Sequence, residues 1–246
     1  DQPRSRGLGD VYKRQIYYNN FFLLIEDLMQ TIIRQTLKDT MYSNKIPVFL
    51  YTIHYPSFQT TCSIDGAQKV NAYYTSAARK TEAYCRTVLY PMALESAQYI
   101  QTNQPPFHSY ELTVDYQITY NRNCITSLIM NQYTFMGGAH GETLRTSATW
   151  DFHTGNQLPL ERFYPRTSSF PKSLLNEIEG QIIGRLKATP SAYFPDYAAL
   201  LQEHFQPENY YLRPGGIVIY YQQYDIAPYA SGIPEFFFPF GNKYTS

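Results

Sequence analysis

From Tyr110 to Asn121 the sequence alternates without a break. Tyr110, Leu112, Val114, Tyr116, Ile118 and Tyr120 take one side, and Glu111, Thr113, Asp115, Gln117, Thr119 and Asn121 take the other. A period of two sustained over that length fits an extended strand and no helix. Apolar/polar alternation adds that one face lies on a core and one in water, the arrangement of an antiparallel sheet. Asn121-Arg122-Asn123 then reads as a hairpin turn. Residues 124–135, apolar on both faces, read as a central strand returning from it. After a glycine-rich loop, Leu144, Thr146, Ala148, Trp150 and Phe152 alternate with Thr143, Arg145, Ser147, Thr149 and Asp151, and His153-Thr154-Gly155-Asn156 turns the chain. The expected centre of the fold is an antiparallel meander.

The flanking sequence supplies more strands and the helices. Residues 30–37 and 46–55 are enriched in β-branched and aromatic residues, with Asn44 and Pro56 as punctuation. Asp65 with Gln68 three residues on resembles a capping box. Val70, Tyr74, Ala77, Thr81, Tyr84, Val88 and Met92 follow at steps of three or four, which is one helical face. Pro91 lacks a backbone donor and crowds the preceding turn, so a kink or break is expected there. Pro105-Pro106 ends the pattern. Further on, Pro171 opens a helix carrying Leu174, Ile178, Ile182 and Leu186, and Pro195 opens a shorter one through Leu200 and Leu201 to His204. Residues 210–212 and 217–221 read as strands joined by Pro214-Gly215-Gly216, with a last strand over 236–240. The fold class expected is α+β, a mostly antiparallel β-sheet packed against helices.

Charge narrows the partners. The chain carries 20 basic and 20 acidic residues and no run of either sign. That argues against nucleic acid and against an anionic membrane surface as partners. Phe21-Phe22-Leu23-Leu24-Ile25 is far shorter than the roughly 20 apolar residues of a spanning helix, and it lacks the flanks of a signal peptide. No membrane span is therefore expected in this chain. Residues 1–28 read as a leader outside the native fold, and the string from Gly7 to Gln15 resembles translated adapter sequence of the kind found in metagenomic genes. Met29 reads as a native start, which would make the chain cytoplasmic. Charged residues are 16% of the chain, against roughly 25% in an average domain, while tyrosine alone numbers 25. Tyrosine-rich, uncharged polar surface suits protein or carbohydrate recognition, although β-propensity accounts for many tyrosines in strands. Cys62, Cys85 and Cys124 are too few and too scattered for a disulfide framework or a zinc site, and read as buried inert thiols; one pair could bond and leave the third free.

The densest glycine cluster is Gly137-Gly138-Ala139-His140-Gly141. Consecutive glycines permit positive φ and close backbone approach. The loop opens a strand rather than a helix and lacks a following Lys-Ser or Lys-Thr, so it is no phosphate cradle. His140 as general base would need a nucleophile and an orienting carboxylate; Glu142 and Asp151 are the candidates for the carboxylate, and no serine or cysteine sits in a nucleophile motif. No H-E-x-x-H or short Cys pair is present. No catalytic residue, cofactor or metal site is expected. The second irregular stretch runs over residues 221–232 and carries Tyr224, Asp225, Pro228 and Tyr229. Segments of that kind commonly carry recognition. Its two tyrosines can anchor an interface or, on the plainer reading, pack internally.

The glycine-histidine loop, Thr149-Trp150-Asp151-Phe152 with its Thr154-Gly155 turn, the connector over 158–163 and the loop over 224–232 stand in a shared order and spacing. In these features the chain resembles the RsiV-type extracytoplasmic domain family, which senses lysozyme in an anti-sigma factor and recurs beside the PdaC deacetylase domain. Tyr55-Pro56 ahead of a helix starting near Asp65 resembles the companion domain that precedes it. The resemblance implies two related sub-domains, an N-terminal one over 29–136 and an RsiV C-terminal-like one over 137–241. It implies a bacterial, extracytoplasmic domain with no established enzyme activity. It also implies a protein or cell-wall ligand, lysozyme among them, met by the loops that hold Gly137, Gly138, His140, Gly141, Tyr224, Asp225, Pro228 and Tyr229. This chain lacks a sigma-binding segment, so the signalling role does not carry over. The expected function is non-catalytic binding. The alternatives are a cell-wall-modifying hydrolase using His140, and a cytoplasmic protein with another partner.

Overall fold

The structure, a computed structural model, describes residues 29–103, 107–164 and 170–240. The leader expected over 1–28 lies outside the described residues. The chain starts with a hairpin of β1 (Thr31–Ser43) and β2 (Ile46–Gln59), turned by Asn44 and Lys45 at φ 48° and 69°. Two left-handed residues make the turn whose twist matches that of the strands. Helices α1 (Ile64–Tyr84) and α2 (Tyr90–Asn103) follow, then β3 (Tyr110–Arg122), β4 (Ile125–Phe135), β5 (Glu142–Asp151) and the short β6 (Asn156–Gln157). Together the strands form one sheet in the order β1-β2-β3-β4-β5-β6. The α+β class expected from the sequence is the one observed. One pairing departs from the antiparallel rule: β3 runs parallel to β2, with Phe49 opposite Tyr110 and Ile53 opposite Val114. Parallel neighbours need a crossover, and α1 and α2 supply it.

Three local features differ from the expectation. The cap of α1 is Ser63, whose Oγ accepts the Gly66 amide at 3.1 Å, two residues ahead of Asp65. A serine there satisfies an amide that the first helical turn leaves open. The β3–β4 turn sits at Asn123 and Cys124, both at positive φ, one residue later than the Asn121-Arg122-Asn123 reading. Pro91 does not break the helix. A π-helical turn over Cys85–Leu89 joins α1 to α2, and the Tyr90 amide donates to Cys85 O. The wider turn accommodates a ring that would otherwise press on the turn before it.

The cysteines correct another expectation. Cys62, just before α1, and Cys124, in the β3–β4 turn, form a disulfide with Cα atoms 5.9 Å apart. Only Cys85 is free; it is buried, and desolvation pushes its thiol pKa up to about 12. Beside the disulfide, buried Gln30 pairs with Asn121 through both backbone groups at 3.1 and 2.8 Å and accepts from Thr126 Oγ1.

The inner sheet face and α1 share the first core, which includes Val70, Tyr74, Ala78, Tyr51, Ile53, Leu112 and Leu128. Trp150 donates its indole N–H to Tyr74 Oη at 2.8 Å. The second half contains α3 (Lys172–Leu186), α4 (Tyr197–Glu203) and a sheet of β7 (Tyr210–Arg213), β8 (Gly216–Tyr220) and β9 (Glu235–Pro239). Its own core gathers Leu174, Ile178 and Ile182 of α3 with Leu212, Ile217, Ile219 and Phe236. The second sheet lies against the outer face of β4 and β5, where Ile129 meets Tyr211, Val218 and Tyr220. Ser127 Oγ accepts Leu212 N at 2.9 Å, and Ser147 Oγ donates to Tyr210 O at 2.6 Å. The division expected between residues 136 and 137 falls inside the β4–β5 hairpin, whose strands pair from Ile125↔Asp151 to Thr134↔Glu142. The two hydrophobic cores separate instead between Phe152 and Leu160. No helix among the described residues is long and apolar enough to cross a membrane.

Candidate functional site

The two loops singled out in the sequence meet in space. The first links β4 to β5. Gly137 and Gly138 sit at φ 90° and 92°, where a β-carbon is disfavoured. Gly141 is crowded for a different reason: a β-carbon there would stand 2.5 Å from the Tyr133 ring, which would have to shift. The loop presents His140 to solvent. The second loop follows β8 and is stitched onto β5 by two glutamine side chains. Gln222 accepts the Arg145 amide at 2.9 Å and donates to the Arg145 carbonyl at 2.7 Å, while Gln223 accepts the Thr143 amide at 3.3 Å. Gln222 thus satisfies backbone groups of β5 as a neighbouring strand would. Beneath this contact, Arg145 is ion-paired to Glu235, donates to Asn131 Oδ1 at 2.8 Å and lies over the Tyr220 ring. Glu235 also accepts the Tyr211 hydroxyl at 3.0 Å, and burial followed by the Glu235 charge pushes that hydroxyl's pKa up.

The result is an aromatic patch in which His140 and Tyr224 are exposed and Tyr229 is half-buried. His140 stacks on Tyr229 with ring centroids 4.0 Å apart and planes 23° from parallel, and Tyr224 lies against Tyr229 at 5.8 Å. Tyr224 is 49% exposed and holds a left-handed backbone at φ 71°. A tyrosine at positive φ is uncommon and worth explaining. His140 Nδ1 is 3.0 Å from Gly141 O, a pure acceptor, so Nδ1 carries the proton. Nε2 then faces the Tyr224 hydroxyl at 3.5 Å.

Of the predicted site residues, the structure unites His140, Tyr224 and Tyr229, supported by Gly137, Gly138 and Gly141. It sets Asp225 and Pro228 apart. Asp225 accepts the Gln222 amide at 2.7 Å and faces His204 Nδ1 at 3.6 Å, so it braces its own loop. Pro228 opens the short turn Tyr229–Ser231. The hydrolase arrangement does not assemble. Asp151 stands at the far end of β5 from Glu142, about 30 Å away at strand rise, and binds the His153 amide and Thr154 hydroxyl. Among the described residues no carboxylate contacts His140, and no group of three or more His, Cys, Asp or Glu side chains comes together to hold a metal. The residues that sequence reasoning passed over are Gln222 and Gln223. They lie beside Tyr224, and only the fold shows that they reach β5.

Two family models match the chain. The first, Deacetylase PdaC, takes in residues 42–143, and the second, Protein of unknown function (DUF3298), takes in residues 170–241. Peptidoglycan-N-acetylmuramic acid deacetylase PdaC of Bacillus subtilis is 25% identical over 122 residues, which is 48% of this chain and 25% of that enzyme. The chain thus matches about a quarter of the length of that relative. Among solved structures, a DUF3298 family member from Bacteroides fragilis superimposes with TM-score 0.64 at 20% identity, covering 87% of this chain and 91% of that one. A DUF3298 family protein from Pseudomonas aeruginosa gives 0.53 at 18% identity, covering 88% and 92%. The chain thus resembles PdaC and DUF3298 proteins, and it shares its α+β fold with the solved DUF3298 structures. The match to the RsiV family in particular is not among these findings.

Proposed function

We propose that this chain is a non-catalytic recognition domain of the bacterial cell envelope that takes a cell-wall glycan on the patch of His140, Tyr224 and Tyr229. The observation that carries the reading is the stack itself: two loops some 80 residues apart in sequence are fastened together so that exposed His140 and Tyr224 flank half-buried Tyr229, three rings that the cores do not use. Flat, uncharged rings offer an electron-rich face to the C–H-lined face of a sugar, and tyrosine adds a hydrogen-bonding tip. The name of the PdaC relative, a peptidoglycan deacetylase, supports a wall ligand. It also supports an enzymatic reading. Against that reading, His140 has its two nitrogens on a carbonyl and a tyrosine hydroxyl, with no carboxylate, serine or cysteine bonded to it among the described residues. The Cys62–Cys124 disulfide supports a location outside the cytoplasm, since disulfides persist in oxidising compartments.

The test is co-sedimentation with insoluble peptidoglycan, with lysozyme titrated separately by calorimetry. Tyr224→Ala and Tyr229→Ala are expected to weaken wall binding by about tenfold each, the equivalent of ~1.4 kcal/mol and the upper range of one aromatic contact. Lysozyme binding that depends on the same tyrosines, without wall binding, would replace the glycan by a protein ligand. Release of acetate or soluble glycan, lost in His140→Ala, would overturn the non-catalytic reading.

A further inference from the structure

A cavity lies at the other end of β4 from the glycine loop, about 30 Å from His140 at strand rise. It has a volume of about 370 Å³ and sits where the β3–β4 end, the connector after β6 and the β7–β8 turn converge. We propose that it binds an organic anion, a phosphate or carboxylate carried on an apolar or ring-shaped body.

Two arginines line it: Arg122 closes β3, and Arg162 lies in the short turn Leu160–Arg162. Neither guanidinium makes an ion pair or hydrogen bond with the described residues, and both side chains lie at the surface. Elsewhere Arg34, Arg79, Arg86 and Arg145 each meet a carboxylate, and Arg185 donates to the Tyr193 hydroxyl and the Glu235 carbonyl. Among the described residues no carboxylate lines the cavity. The neighbouring Glu161 lines a separate one with Pro207 and Tyr210. Two like charges thus line one cavity with no carboxylate among the described residues to balance them, in a chain whose formal net charge is zero. An anion would relieve their repulsion, and the guanidinium fork matches phosphate and carboxylate oxygens in pairs.

The rest of the wall decides what carries the anion. Tyr120, Phe163 and Phe240 give aromatic surface, and Pro214-Gly215 closes one side. These rings are partly packed on the second core; a ring or acyl body would cover the apolar surface they still present to the cavity, which a bare inorganic ion would not. The cavity is distant from the His140 patch, so the two sites stand or fall separately.

The test titrates the intact chain with phenyl phosphate, benzoate and inorganic phosphate, followed by NMR shifts or calorimetry. Phenyl phosphate or benzoate is expected to bind in the millimolar range or tighter, about tenfold tighter than inorganic phosphate, and the tighter of the two names the anion. Arg122→Gln and Arg162→Gln should each weaken that binding by about tenfold, and added salt should weaken it further. Neither substitution should move the unfolding midpoint, because neither side chain bonds within the fold. The assignment is overturned if neither aromatic anion binds at about 10 mM, if inorganic phosphate binds as well as both, or if the arginine variants bind undiminished.

Discussion

Removing the Cys62–Cys124 disulfide has a calculable consequence. The two cysteines are 62 residues apart, so the bond closes a loop of that size in the unfolded chain. Loop-closure entropy for such a span corresponds to about 4 kcal/mol of native stability at room temperature. Cys62→Ala/Cys124→Ala should therefore lose about 4 kcal/mol, and for a domain of this size that lowers Tm by about 10 °C. The structure adds a control. Cys124 sits at φ 60°, a conformation that costs a side-chain-bearing residue about 1 kcal/mol. Cys62→Ala/Cys124→Gly should therefore recover about 1 kcal/mol of the loss. The assay is urea unfolding followed by the fluorescence of Trp150, the only tryptophan, which is buried in the core that the disulfide borders. Thiol titration of the denatured wild type should find one reactive thiol, Cys85. A double variant within about 1 kcal/mol of wild type, or three titratable thiols in protein from an oxidising compartment, would refute the reasoning.

Three further outcomes follow from the geometry. Gly66→Ala would put a β-carbon 2.2 Å from the Phe152 carbonyl oxygen, so despite better helix propensity it should destabilise by about 2–4 kcal/mol in urea unfolding. Tyr51 holds its proton to a pKa of about 12, raised by burial and then by Glu82, whereas an unfolded tyrosine releases it near 10. The native state binds more protons in that window, so this contribution is present below pH 10 and is lost as pH rises towards 12; Tyr51→Phe should flatten that part of the stability–pH curve. Gln222→Ala removes two hydrogen bonds to the Arg145 backbone, and it should cost about 2 kcal/mol while weakening ligand binding at the patch.

Periodicity carried most of the architecture. The alternation from Tyr110 and the spacing of Leu174, Ile178 and Ile182 identify β3 and α3 because each has one face buried and one wet. What periodicity does not encode is pairing. The parallel neighbour of β3, the meeting of Cys62 with Cys124 and the reach of Gln222 to β5 join residues far apart in sequence, and no local signal reports them. Pro91 shows the converse limit. The residue announces a disturbance, and the chain resolves it with a wider turn rather than a break. In the candidate site, His140, Tyr224 and Tyr229 were legible as residues of irregular, glycine-bearing loops. Asp225 shared that context, yet its carboxylate turns inward to the Gln222 amide and His204. Composition alone cannot separate a ring that faces a ligand from a side chain that braces the same loop.

The measurement that bears most directly on the account is the co-sedimentation of wild-type chain and Tyr224→Ala with insoluble peptidoglycan. Tyr224 is half exposed and its ring belongs to neither core, so the variant should fold as the wild type does. The wild type should pellet with the wall, and Tyr224→Ala should do so about tenfold less avidly. A wild-type chain that stays in solution, or a variant that pellets equally well, would contradict it.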